Sequence, residues 1–180
     1  MTLASSLTRM GKHQAAIDQL NEVEERLNSY PKVNYFKAKI YIINRDYKKS
    51  EFAAKKEIEL NPSSEYGYYI LGETYLKTKN YAQAKKNLEK AIQLRPDFYE
   101  CLLSLGWLKF KQGYYPAARE LYQRALRQRP SDPEIHKRLG YVYKEIGQSA
   151  MSIEEFKTYL NLNPVAPDQN KIKRLIRQMQ

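Results

Sequence analysis

Apolar and small residues return along the chain in blocks that repeat every 34 residues. In residues 65–98 the recurring positions hold an aromatic residue, a Leu-Gly pair, a second aromatic, an Ala-Leu-Ala series and a proline. These residues are Tyr68, Leu71, Gly72, Tyr75, Ala84, Leu88, Ala91 and Pro96. Apolar positions at such spacings share one face of a helix, so each block predicts two amphipathic helices joined by a turn.

Four prolines give the same period independently of the apolar pattern. They are Pro62, Pro96, Pro130 and Pro164, each 34 residues after the one before. Proline lacks a backbone donor and forces the preceding residue into an extended conformation. We therefore expect each proline to follow the end of a second helix.

Two sets of glycines fit the same plan. Gly72, Gly106 and Gly140 lie in the middle of the first helices, where a missing side chain lets the second helix approach closely. Gly11, Gly113 and Gly147 fall at the turn between the helices, and a positive φ costs glycine nothing there.

This pattern resembles the tetratricopeptide repeat (TPR) family, and the resemblance covers nearly the whole chain. It implies an all-α fold, a right-handed α-α superhelix of antiparallel helix pairs with a capping helix at its C-terminal end. The array would span residues 1–166. Its segments would be a truncated repeat at 1–30, full repeats at 31–64, 65–98, 99–132 and 133–166, and the capping helix at 167–180.

The two ends of the chain need separate interpretations. Residues 1–30 match a repeat that has lost the start of its first helix, so we expect the chain to be part of a longer protein. Residues 167–180 place Ile172 and Ile176 on one helix face and basic residues on the others. Solenoids need a cap, which favours a capping helix, and the alternative is a basic amphipathic helix that contacts a membrane or partner.

Composition and charge add expectations about partners, membrane insertion and location. The net charge of +11 is concentrated in residues 31–132 and in the last segment, which favours acidic partners. No apolar run reaches about 18 residues, so we expect no membrane span. The single cysteine, Cys101, fits a reducing compartment, and we expect a cytoplasmic protein.

No catalytic motif is evident in the sequence. The two histidines, His13 and His136, lie in different repeats without a partner motif. Zinc-ligand spacings, glycine-rich phosphate loops and nucleophile signatures are missing. We therefore predict a non-enzyme without cofactor or metal.

The TPR resemblance implies a concave groove lined by fixed positions of the first helices. In this chain those positions hold Lys32, Tyr35, Lys39, Tyr66, Tyr69, Glu73, Leu103, Trp107, Lys137 and Tyr141. Tyrosine and tryptophan commonly anchor interfaces. We predict a protein–protein interaction scaffold or adaptor whose groove binds a peptide or partner segment. Repeat curvature leaves open whether Trp107 faces the groove or packs in the core.

Two other functions stay open at this stage. Lys56, Lys90 and Arg124 recur at one convex position, which fits a basic stripe for nucleic acid or an anionic membrane surface, or else a merely soluble outer face. The other is homo-oligomerisation through the terminal repeats, because an uncovered repeat face can bind another copy.

Overall fold

The computed structural model describes residues 2–27 and 32–180, and it contains eleven helices and no strand over those ranges. The helices are α1 Thr2–Arg9, α2 His13–Leu27, α3 Val33–Ile43, α4 Tyr47–Leu60, α5 Glu65–Lys77, α6 Tyr81–Leu94, α7 Tyr99–Lys111, α8 Tyr115–Gln128, α9 Pro133–Glu145, α10 Ser149–Leu162 and α11 Gln169–Gln178. The predicted all-α fold of helix pairs is confirmed. None of these helices has both the length and the apolar character that crossing a bilayer requires.

The chain divides into two compact units, Met1–Pro96 (unit 1) and Asp97–Gln180 (unit 2). Unit 1 holds α1 to α6 and unit 2 holds α7 to α11. Within each unit the two helices of a pair pack on each other, and each pair packs on the next. Every predicted segment from 31 to 166 contains one helix pair. The predicted boundary between residues 30 and 31 lies outside the described residues.

The turns inside the helix pairs share one backbone conformation. Gly11, Gly113 and Gly147 have φ values of 73°, 79° and 75°, as the glycine pattern predicted. At the same position of the other two pairs, Arg45 and Lys79 adopt φ values of 60° and 61°. The conformation is therefore imposed by the packing of the helix pair, since two residues with side chains accept the cost of left-handed backbone.

The mid-helix glycines lie where the two helices of a pair touch. A Cβ atom on Gly72 would be 2.7 Å from Leu88 Cγ, and one on Gly140 would be 2.6 Å from Phe156 Cδ1. A Cβ on Gly106 would be 2.5 Å from Cε1 of the buried Tyr122. The large apolar side chain of each second helix therefore fills the space that the glycine leaves.

Helix α11 adds its apolar face to the last helix pair. Ile172 and Ile176 are buried in one cluster with Phe156 and Tyr159 of α10, and Ala166 joins them from the connecting segment. The opposite face of α11 is exposed and basic. An apolar face packed on α10 and a charged face in water are the two features that a capping helix needs.

Candidate functional site

A pocket of about 250 Å³ lies between α7, α8 and α9 of unit 2. It is lined by Trp107, Phe110, Lys111, Tyr122, Glu134, Lys137, Arg138 and Tyr141, and we call it the aromatic pocket. Its volume is below the range of about 300–1,000 Å³ that is usual for small-molecule sites. A space of this size suits one large side chain of a bound partner.

Three residues of the predicted concave groove meet in the aromatic pocket. Trp107 from α7 and Lys137 and Tyr141 from α9 all contribute to its lining, and all three are half-buried. Trp107 is therefore neither fully buried nor fully exposed, and it forms one wall of the pocket. Leu103, also predicted, lies one turn earlier on α7 and is half-buried outside the lining.

Aromatic contacts hold two walls of the pocket in place. The Tyr141 ring packs edge-on against the buried Phe156 with 5.1 Å between ring centroids. The Phe110 ring meets Tyr115 in a similar edge-to-face contact at 5.5 Å. Edge-to-face pairs are a favoured arrangement for aromatic rings. The pocket is thus formed before any ligand binds.

Charged groups on α9 pair with one another and with Asp168 beside the aromatic walls. The Glu134 carboxylate contacts the Lys137 ammonium at 2.8 Å and the Arg138 guanidinium at 3.0 Å. Lys137 also lies 3.5 Å from the Asp168 carboxylate, which accepts a hydrogen bond from the Tyr159 hydroxyl. Burial opposes a charged Lys137, but the hydrogen bond that Lys137 donates to Glu134, together with the attraction of Glu134 and Asp168, raises the pKa of Lys137. Two cations therefore face two carboxylates.

Several lining residues are not among the ten predicted groove residues. Glu134 and Arg138 are spaced four apart on α9, a spacing typical of helical ion pairs, so this signal was available. Tyr122 belongs to the buried repeat pattern, and only the packed structure brings its ring beside the pocket.

A second group of predicted residues meets in unit 1. The Lys32 ammonium lies 4.0 Å from the centroid of the Tyr66 ring, and the Tyr35 ring packs on Tyr66 at 5.1 Å. The Tyr66 hydroxyl accepts a hydrogen bond from Arg95 at 3.1 Å. These contacts cover part of the Tyr66 ring within the unit, so less of the ring is available to a partner.

The other predicted residues of unit 1 are Lys39, Tyr69 and Glu73. Lys39 is exposed and lines a cavity of about 390 Å³ against α1. Tyr69 and Glu73 are half-buried on α5. In unit 2 three of the predicted residues line one pocket, and in unit 1 Lys32 and Tyr35 both contact Tyr66.

The three residues of the predicted convex stripe differ in their surroundings. The Lys56 ammonium pairs with the Glu24 carboxylate at 2.8 Å, across the space between α2 and α4. Lys90 donates a hydrogen bond to Gln93 at 3.1 Å in the same unit. Arg124 is half-buried on α8 of unit 2. Lys56 therefore has a structural partner within unit 1, because its ion pair with Glu24 joins α2 and α4.

Glu24 is the centre of an ion-pair group in unit 1. Besides Lys56, it contacts Lys37 at 2.5 Å, and Lys37 is buried at a position where the other repeats carry an apolar residue. Burial alone would raise the pKa of Glu24, but the hydrogen bonds from Lys37 and Lys56 lower it to about 2. The ordinary value is 4.5.

The Glu24 group predicts a defined loss of stability in acid. A carboxylate whose folded pKa is lowered stabilises the fold above its unfolded pKa, and that contribution disappears as pH falls through the folded value. We expect wild type to be more stable than Glu24→Gln at neutral pH, by about 1–3 kcal/mol. The difference should shrink between pH 4.5 and about pH 2.

Urea unfolding of both proteins at a series of pH values measures this difference. Glu25→Gln is the matched control, because it removes an exposed carboxylate of the same helix that pairs with nothing in the described part of the chain. A wild-type advantage over Glu24→Gln that stays constant down to pH 2 would contradict the assignment.

Family models give an independent view of the same chain. Two models described as tetratricopeptide repeat match it, one over residues 75–140 and the other over residues 31–64 and 134–165. Together they cover most of the helix pairs described above. No curated protein matches the chain at a significant level.

Solved structures share the fold along nearly the full length. TTC0263, a thermophilic TPR protein of Thermus thermophilus, has a TM-score of 0.77 at 19% identity, covering 98% of this chain and 97% of its own. YrrB, a TPR protein with an unusual peptide-binding site, has a TM-score of 0.71 at 17% identity, covering 97% and 90%. MamA of Desulfovibrio magneticus RS-1, from its residue 41 onward, has a TM-score of 0.73 at 20% identity, covering 92% and 94%.

At such identities the structural likeness establishes the fold, while the family models establish descent from the same repeat. The 34-residue period, the packed glycines and the left-handed turns all agree with both. The chain belongs to the tetratricopeptide repeat family.

Proposed function

We propose that this chain is a non-catalytic adaptor that binds a peptide segment of a partner protein, with the aromatic pocket as its anchor site. The observation that carries the proposal is the preformed pocket itself, where the half-buried Trp107, Phe110 and Tyr141 present aromatic surface. Aromatic side chains in such settings contribute much of the energy of protein interfaces. Cys101 is a buried cysteine, and a single cysteine suits a reducing compartment, so we place the action of the protein in the cytoplasm.

The dimensions and charge of the pocket favour a peptide over a small molecule. The pocket holds one side chain, and its rim is polar, an arrangement typical of a site that takes one residue of a longer chain. YrrB, which shares the fold, is a TPR protein with an unusual peptide-binding site. The fold by itself serves many functions, so the pocket residues carry the argument.

A peptide-display experiment tests this function without knowledge of the natural partner. A random peptide library would be selected on immobilised wild-type protein, and the enriched peptides would be measured by fluorescence anisotropy. We expect Trp107→Ala to weaken their binding by about 30-fold or more, because an interface anchor contributes about 2 kcal/mol. Trp107→Phe, which keeps an aromatic wall, should recover much of the affinity.

The matched control is Phe52→Ala, which removes an exposed aromatic ring from α4 of unit 1, away from the pocket. Circular dichroism would establish that each variant is folded. Enriched peptides that bind Trp107→Ala as tightly as wild type would overturn the pocket as the site, and the absence of any enriched peptide would overturn the function.

The basic stripe remains the main alternative, and it makes a different prediction. A polyanion binder loses affinity steeply with salt and is weakened by reversing Lys90 and Arg124. The pairing of Lys56 with Glu24 weighs against it, since a polyanion would have to compete with that carboxylate.

A further inference from the structure

The charge set of the aromatic pocket restricts what its anchor residue can be. Glu134 already contacts both Lys137 and Arg138, and Asp168 approaches Lys137 from the other side. A carboxylate that entered the pocket would have to displace Glu134 from two cations. A neutral apolar or aromatic side chain meets no such cost, so the pocket selects a neutral anchor.

The rim of the pocket differs from its lining because it carries an excess of positive charge. The Lys111 ammonium lies 5.9 Å from the centroid of the Trp107 ring, and the Lys171 ammonium lies 5.5 Å from that of Tyr141. Both lysines are exposed, and neither pairs with a carboxylate among the residues that the structure describes. Two unneutralised cations therefore stand beside two walls of one pocket.

Helix α11 extends this positive rim. The buried Ile176 of α11 stands 34 residues after the buried Val142 of α9, so α11 follows the register of a first helix, in which Lys171 corresponds to Lys137. The residues of α9 that pack on a second helix are His136, Leu139, Gly140 and Tyr143, all buried. Their counterparts on α11 are Asn170, Lys173, Arg174 and Arg177, all exposed. This face of α11 is therefore exposed to solvent. Because it is positively charged and contains no acidic residue, it favours contact with anions.

We propose that the partner segment is acidic and carries one large neutral side chain, with that side chain in the aromatic pocket and carboxylates on both sides of it. Lys111 contacts the acidic residues on one side of the anchor, and Lys171, supported by Arg174, contacts those on the other. The argument rests on the proposed function, because it assigns the chemistry of the peptide that the pocket binds. Charge complementarity is the physical basis of the assignment.

The test uses the same peptide library, with the composition of the enriched peptides as the readout. On wild type we expect one aromatic or large aliphatic residue with Asp or Glu on both sides. On Lys111→Glu the acidic preference should disappear on one side only, and on Lys171→Glu on the other side only. The double variant should bind the wild-type peptides at least about tenfold more weakly.

The matched control is Lys85→Glu with Lys86→Glu, which makes the same change in net charge on exposed residues of α6 in unit 1. It should leave both the composition and the affinity of the enriched peptides unchanged. An equal loss in this control would reduce the effect to overall charge and overturn the proposal.

The outcomes separate this inference from the function on which it rests. Peptides that need Trp107 but show no acidic preference, or an acidic preference that neither lysine variant changes, would overturn the inference and leave the peptide-binding function standing. Failure of Trp107→Ala to weaken binding would overturn both. A labelled single-stranded oligodeoxynucleotide is the second probe, and its capture through Lys111 and Lys171 in place of any peptide would assign the basic rim to nucleic acid.

Discussion

Replacing Phe156 with alanine is expected to lower the free energy of unfolding of unit 2 by about 3–5 kcal/mol. The Phe156 side chain is fully buried between Gly140 of α9 and the apolar face of α11. Removing the ring leaves a cavity beside Gly140, which has no side chain to fill it. It also removes the edge-to-face support of Tyr141, so the aromatic pocket loses the contact that positions one wall.

Trp107 makes this prediction easy to measure. It is the single tryptophan of the chain and lies in unit 2, so its fluorescence during urea unfolding reports on the unit that contains Phe156. Phe52→Ala is the matched control, because the same substitution removes a side chain that is 73% exposed in unit 1. We expect that control to change stability by less than about 0.5 kcal/mol.

The two alanine variants must therefore differ clearly. If Phe156→Ala unfolds at nearly the same urea concentration as Phe52→Ala, the close packing of α9, α10 and α11 would be wrong.

The second large effect concerns the contact between Gly72 and Leu88 in unit 1. Leu88→Ala should cost about 2–5 kcal/mol, because Leu88 is fully buried. Gly72→Ala should cost about 1–3 kcal/mol, because its new methyl group would lie 2.7 Å from Leu88 Cγ. The double variant should be more stable than the sum of the two losses predicts, since the methyl group takes space that Leu88 has vacated.

Urea unfolding followed by circular dichroism measures all four proteins of this cycle. We expect a coupling of about 0.5–3 kcal/mol between the two sites. Gly113→Ala serves as a comparison, because its Cβ would meet no atom within 4 Å and its cost of about 1 kcal/mol would come from positive φ alone. Strict additivity of Gly72→Ala and Leu88→Ala would show that the two residues do not share the same space.

The fold was predictable because each level of the pattern points to the same structure. The apolar positions, the prolines and the glycines share one period, and each has a local cause that does not depend on distant residues. Arg45 and Lys79 are the exception within the turns. Their left-handed backbone was not predictable from residue type, because neither residue favours it and the closure of the helix pair imposes it.

The candidate site was predictable only in part. Trp107, Lys137 and Tyr141 share an inward-facing register, and the structure brings these three to one pocket. In unit 1 the same register brings Lys32 and Tyr35 to Tyr66, which Arg95 also contacts within the unit. Register specifies the direction of a side chain, but the neighbours that it meets depend on residues from other helices.

The sequence alone therefore determined the family, the helix pairs and their turns, since these follow from short-range spacing and steric preference. Only the tertiary structure decided which charges are neutralised. Glu24 binds Lys37 and Lys56 from two other helices, and Asp168 approaches Lys137 from outside α9, whereas Lys111 and Lys171 keep no carboxylate among the described residues. Ion pairs form between groups a few ångströms apart in space, and that proximity is decided by packing.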